Sequence, residues 1–181
     1  MALLVSYNLA CKLNNPQFYE QADIIRLNSP WYTPIELENI LMYETKPKFI
    51  DVNIKERSKP KKFNHKYEEL LKLVGKYDVD WVGISNVEDG NFYRKIKELL
   101  SNDVTKICAK VETLEGCKNI ENIIKIYDGV MVDVEDLASE IGWDEAIKWK
   151  EQINEKCDKE NKDHFVLSGV IFEYKRKVNL G

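Results

Sequence analysis

Seven short apolar runs, separated by stretches of helical character, set the tightest limit on what this chain can fold into. The runs fall at 3–7, 23–27, 48–52, 80–85, 106–111, 129–132 and 164–168. Most are continuously apolar, the form of strands buried on both faces of a parallel sheet. Helical stretches lie between them, at 16–21, 34–42, 65–76, 91–100, 120–127 and 143–161. Within 65–76, Tyr67, Leu70, Leu71 and Val74 recur at helical spacing and make one apolar face. Thr33-Pro34 and Asp89-Gly90-Asn91 supply helix starts. Strand–helix alternation predicts right-handed βαβ units, hence an α/β fold with parallel strands. Seven strands in this order predict a TIM-type (β/α) barrel. Such barrels take about 250 residues and eight strands. This chain has 181 residues, and no eighth strand–helix unit follows 168–174. The basic tail 175–181 reads as loose or as an edge strand. The expectation is one domain over 1–181, a short or incomplete barrel with two open sheet edges. A second copy would complete the sheet in a homo-oligomer.

Composition removes several classes of function. Hydrophobic residues make up 44% and charged residues 32%, with both signs dispersed, as in a globular domain. A net charge of −4 gives no global attraction for nucleic acid or an anionic membrane. No apolar run approaches the length of a membrane span. The N-terminal residues lack the basic region and cleavage site of a signal peptide and read as a buried strand. The four cysteines, Cys11, Cys108, Cys117 and Cys157, form no C-x-x-C pair, and no histidine is spaced to make zinc with them. Buried free thiols in a reducing cytoplasm are expected. His65 and His164 read as structural, and the four tryptophans as core or interface.

The chemistry concentrates at two strand ends. The run Ile107-Cys108-Ala109 continues into Lys110-Val111-Glu112. Residues i and i+2 of a strand share a face, so the lysine and the carboxylate leave the strand together. They do so at its C-terminal end, where β/α barrels place their active sites. The next run, Gly129-Val130-Met131-Val132, ends in Asp133-Val134-Glu135-Asp136. One lysine and several carboxylates therefore converge. Asp133 and Glu135 also suit a helix N-terminus, where the dipole favours negative charge. The loop 56–62 is basic and Pro-containing, either a solvated loop or a lip that steers anions.

These residues resemble the pyruvate kinase family. Lys110-Val111-Glu112, Glu115-Gly116, Asn119, Ile123, Asp128-Gly129-Val130-Met131-Val132 and Asp136-Leu137 follow that family's strand-five and strand-six pattern in order and spacing. Glu140-Ile141, Glu155-Lys156-Cys157 and Ser168 continue it. Arg26-Leu27-Asn28 is similar to the strand-two motif, Asp51 to the strand-three aspartate, and Val82-Gly83-Ile84-Ser85 to strand four. The resemblance runs from about Leu4 to about Phe172 and is strongest over 106–136. The Glu and Asp positions also occur in citrate-lyase-like and HpcH-type aldolases, within one superfamily of phosphoenolpyruvate/pyruvate-binding barrels.

The resemblance implies a role for each matched position. Glu112 and Asp136 would ligate Mg2+ or Mn2+, hard cations that want oxygen donors. Lys110 would neutralise charge on an enolate or a transferring phosphoryl group. Ser168 would keep a hydroxyl near the substrate methyl carbon, and Arg26 would contact phosphate. Asn28 and Asp51 would contribute to a monovalent K+ site. The partner would be a small 2-oxo acid or phosphoenolpyruvate, in cytoplasmic glycolysis.

The departures bear on the chemistry. The long lid after strand three, the eighth unit and the C-terminal regulatory domain of the family have no counterpart here. Pro30-Trp31 replaces Ser-His, and Val52 replaces a threonine, so the K+ site loses two hydroxyl ligands. Val134-Glu135 replaces Arg-Gly, Glu88 replaces a basic residue and Gly169 a glutamine. Asp133, Glu135 and Glu88 set carboxylates where phosphates should lie, and like charges repel strongly in a low dielectric. Divalent-metal and enolate machinery is expected to survive better than nucleotide machinery. A metal-dependent 2-oxo acid aldolase or lyase is the alternative enzyme. An inert scaffold or assembly module is the alternative without chemistry.

Overall fold

The computed structural model describes residues 2–12, 16–54, 65–168 and 171–178. The basic loop 56–62, Gly169 and the side chain of Ser168 lie outside the described residues. Eight strands are present: β1 (Ala2–Ser6), β2 (Ile24–Asn28), β3 (Lys48–Val52), β4 (Trp81–Ile84), β5 (Lys106–Val111), β6 (Gly129–Val132), β7 (His164–Ser168) and β8 (Ile171–Lys175). They close into a barrel in chain order, and β1 to β7 are parallel. The helices that cover it are α1 (Pro16–Gln21), α2 (Pro34–Tyr43), α3 (Tyr67–Lys76), α4 (Tyr93–Leu100), α5 (Leu114–Lys118), α6 (Ile120–Ile126), α7 (Val134–Ile141) and α8 (Trp143–Lys159). No described helix is long and apolar enough to cross a membrane.

The incomplete, all-parallel barrel expected from the sequence is corrected at its last strand. β8 turns straight back from β7 and runs antiparallel to both β7 and β1. A hairpin needs no crossover helix, so the chain closes its barrel with fewer residues than a full βα unit takes. Leu4 pairs with Phe172, and Ala2 with Tyr174. The sheet therefore has no open edge, and no second copy is required to complete it.

Two apolar zones hold the fold. Between strands and helices lies the larger one, which includes Ile25, Leu27, Val82, Ile107 and Leu137. Inside the barrel sits a smaller set: Leu4, Ile24, Phe49, Trp81, Cys108, Met131, Phe165, Phe172 and Tyr174. Phe165 stacks on Tyr174 at 4.8 Å and meets Phe49 and Trp81 edge-on at 5.1 and 5.3 Å. Gly83 makes this packing possible. A Cβ there would stand 2.4 Å from the Phe49 ring and 3.3 Å from Lys110 Cδ.

Helix starts follow ordinary capping. Thr33 forms a full capping box with Glu36, and Thr113 accepts from the Gly116 N–H. The expected helix 143–161 is preceded by a separate one, α7, and the chain bends between them at Gly142 (φ 86°).

Candidate functional site

Above the aromatic layer the barrel interior becomes ionic. One residue pair further along their strands, Arg26, Asp51 and Lys110 replace Ile24, Phe49 and Cys108 on the inward face. Arg26 donates to Asp51 through Nε (2.7 Å) and Nη2 (3.2 Å). Lys110 Nζ lies 3.1 Å from Asp51 Oδ1 and 2.9 Å from Glu112 Oε1. The second Glu112 oxygen accepts from the Asn86 N–H at 2.7 Å. Asp51, Lys110 and Glu112 are at most 5% exposed, and Arg26 stacks on Phe172 of β8 at 5.0 Å.

Buried charges persist only when paired. Burial pushes the Asp51 carboxyl up, but Arg26 and then Lys110 outweigh it and hold it below its ordinary value. Burial likewise lowers the Lys110 ammonium, and Asp51 and Glu112 more than reverse this, so it stays charged. Arg26 is held charged in the same way, chiefly by Asp51 against its own desolvation.

Glu112 also belongs to a second group. It brings a carboxylate oxygen within 4.8 Å of oxygens from Asp133 and Asp136. Asp133 caps α7, accepting from the Asp136 N–H at 3.4 Å. The expected lysine and carboxylates therefore do converge from β5 and β6, and Arg26 and Asp51 join them. Glu135 is exposed on the first turn of α7 and stands apart from the trio. Glu88 lies in the loop after β4, where its carbonyl accepts from Asn119 Nδ2. Asn28 sits beside Asp51 in register but is exposed. Both Asp51 oxygens already face cations, which opposes a K+ ion at the same carboxylate.

Sequence reading placed Asp133 among the converging carboxylates and at the helix cap, but not among the metal ligands. The signal for more was present: Met131 faces inward, and Asp133 is two residues further on. Asn86 was missed because its contribution is a backbone N–H, which residue type does not reveal.

The acidic trio fits a hard divalent cation. Its donors are all oxygens within 4.8 Å of one another, and Mg2+ holds such ligands at about 2.1 Å, so the trio would draw together around the ion. Among described residues the cysteines are free thiols, with Cys108, Cys117 and Cys157 buried.

A closed α/β barrel with a lysine–carboxylate cluster at its C-terminal strand ends defines a class of barrel proteins that act at that face. Residues 51–171 match the family described as pyruvate kinase, barrel domain, and the chain belongs to that family. It is 32% identical over 93 residues to a pyruvate kinase of Borreliella burgdorferi, covering 50% of this chain and 20% of that protein. It is 34% identical over 89 residues to a pyruvate kinase of Clostridium perfringens, covering 47% and 19%. Pyruvate kinase isozyme A, chloroplastic, of Ricinus communis is 30% identical over 98 residues, covering 51% and 17%. The chain thus spans about a fifth of the length of these curated relatives.

Proposed function

We propose that residues 1–181 form one barrel domain that holds Mg2+ or Mn2+ through Glu112, Asp133 and Asp136. Against that ion it takes a small 2-oxo acid of the phosphoenolpyruvate/pyruvate type. The observation that carries this reading is the set of three carboxylate oxygens within 4.8 Å of one another beside a fixed lysine. When bound, such an ion supplies positive charge that favours an enolate oxygen.

The chain's own groups do the positioning. Lys110 has three donors; Asp51 and Glu112 engage it at 3.1 and 2.9 Å, leaving one N–H for a ligand oxygen. Because both partners are buried, the ammonium is fixed before the ligand arrives, which limits reorganisation. The Arg26 side chain is 19% exposed and keeps donors beyond those given to Asp51, suited to an anionic group. The family match favours the kinase pattern over the aldolase alternative. The reading stops short of phosphoryl transfer to a nucleotide. A reducing cytoplasm suits the free thiols.

The test is thermal unfolding with Mn2+ and oxalate together, each alone serving as control. Oxalate mimics the enolate of pyruvate and chelates a metal already held by carboxylates. The expected result is a stabilising shift that requires both and disappears in Glu112→Gln. No shift, or one that survives Glu112→Gln, overturns the reading in favour of an inert scaffold.

A further inference from the structure

The opposite end of the barrel carries a second concentration of charge. A cavity of about 330 Å³ lies there, among the start of β5, the ends of α6 and α8 and the chain after β8. Four lysines from four parts of the chain line it: Lys106, Lys125, Lys162 and Lys177. Ile124, Asn161 and three carboxylates, Asp128, Glu160 and Asp163, complete the described lining. None of the acidic trio Glu112, Asp133 and Asp136 belongs to it.

The two signs of charge are not in the same condition. Each carboxylate is engaged. Asp128 accepts from the Ile107 N–H at 2.8 Å and from the Tyr93 hydroxyl at 3.2 Å. Asp163 accepts from the Tyr174 hydroxyl at 3.2 Å, from Lys106 at 3.5 Å and from the Lys177 N–H. Glu160 pairs with Lys156 at 3.0 Å. Among the described residues, the ammonium groups of Lys125, Lys162 and Lys177 have no hydrogen-bond or ion-pair partner. Lys162 is also part-buried, and burial holds its ammonium below the ordinary value. Asp128 opposes this only in part, and Lys177 pushes the same way as burial. A desolvated cation beside a like charge lacks the counter-charge that buried ions ordinarily have.

Backbone bonds hold these cations in place. Asn161 turns the chain out of α8 in the left-handed region (φ 52°), and the Lys162 N–H closes on the Cys157 carbonyl at 2.8 Å. The Asn161 side chain then grips the tail, accepting from the Val178 N–H at 2.6 Å and donating to the Val178 carbonyl. Asp163 takes the Lys177 N–H, so the chain at 162 and at 177 is tied together. The carbonyls of Lys156, Cys157 and Asp158, at the end of α8, already accept backbone N–H groups, which leaves them less able to repel an anion.

We propose that this cavity binds a small phosphoryl anion between the ammonium groups of Lys125, Lys162 and Lys177. Three point cations suit the three oxygens of a phosphoryl group better than the two of a carboxylate. At about 30 Å³ per water molecule, the space takes a diphosphate-sized ion with part of its hydration. Among the described lining residues only Ile124 is apolar, so charge rather than an apolar body carries recognition. The site is separate from the proposed metal, and its test needs none.

The experiment is an amide NMR titration of the metal-free protein with pyrophosphate at constant ionic strength. Inorganic phosphate, glycerol 3-phosphate and acetate are the further arms. Saturable shifts of the Lys125, Lys162 and Lys177 N–H groups are expected with pyrophosphate, with acetate at least tenfold weaker. Reading the shifts residue by residue separates this site from any binding beside Arg26 and Lys110. Glycerol 3-phosphate at least as tight as inorganic phosphate assigns the ligand as a phosphate ester; the reverse order assigns the free ion. Lys162→Gln removes an unpartnered charge, so the fold should hold while pyrophosphate affinity falls at least fivefold. Absence of saturable shifts at those three N–H groups overturns the assignment. So does acetate binding equal to pyrophosphate, or unchanged affinity in Lys162→Gln. If that variant does not fold, Lys125→Gln, at an exposed residue, makes the same test with the same threshold.

Discussion

Two layers of one barrel interior, a single i+2 step apart, differ in almost every physical respect. The lower layer holds Ile24, Phe49, Trp81, Cys108, Met131 and Phe165 and is dry and interlocked. The upper layer holds Arg26, Asp51 and Lys110 and opens toward Glu112, Asp133 and Asp136. The same strands build both. The lower layer gains stability from apolar burial and contact. The upper layer carries the desolvation cost of charges and recovers it only through mutual pairing. The contrast teaches that the scaffold's rigidity comes from below, while the reactive groups above stay poised because each is held by an opposite charge.

The comparison breaks most severely if the lower layer is opened. Phe49→Ala should cost about 3–5 kcal/mol in chemical denaturation, because ring contacts and the packing over Gly83 are lost together. A loss under about 1 kcal/mol would mean that the aromatic layer is not the rigid part. Asp51→Asn should cost less, about 2 kcal/mol, since the amide still accepts hydrogen bonds and Lys110 keeps Glu112, while Arg26 loses its paired anion.

That second variant also has a pH signature. The folded-state Asp51 carboxyl lies below 3.8, so its contribution is present above the unfolded value and lost as pH falls through the lowered one. The wild type should therefore lose melting temperature steeply below about pH 4, and Asp51→Asn should show a flatter acid limb. Parallel acid limbs would remove Asp51 from the account. Asp133→Asn is the gentlest change. Asparagine caps a helix as well as aspartate, so stability should hold within about 0.5 kcal/mol. Calorimetry should nonetheless show Mn2+ affinity about tenfold weaker, a difference of about 1.4 kcal/mol. Unchanged affinity would return Asp133 to a purely capping role.

Much of this was legible before any coordinates. Short apolar runs mark strands buried on both faces, and seven of the eight strands fall where those runs lie. Lys110 and Glu112 were placed together by strand alternation alone. The eighth strand was illegible for a physical reason. Ile171-Phe172-Glu173-Tyr174-Lys175 alternates apolar and polar residues and follows β7 without a helix, so it does not carry the βα signature of its neighbours. Helices α5 and α7, of 5 and 8 residues, were not foreseen: each is parted from the next helix by a single residue, Asn119 or Gly142, and reads as the approach to it. The pairing of Asp51 with both Arg26 and Lys110 joins residues from three strands and depends on barrel closure, which no local pattern contains.

The seam between β1 and β8 has a consequence in time. It joins Ala2 to Tyr174, nearly the two extremes of the described chain. Pairings of such sequence separation form slowly, because the intervening loop must close before they return any stabilisation. During synthesis the first strand must therefore wait beside an unfinished ring until Phe172 and Tyr174 emerge. Until then Arg26 lacks the ring on which it rests, so the cover of the ionic layer is completed by a strand that carries none of its charges.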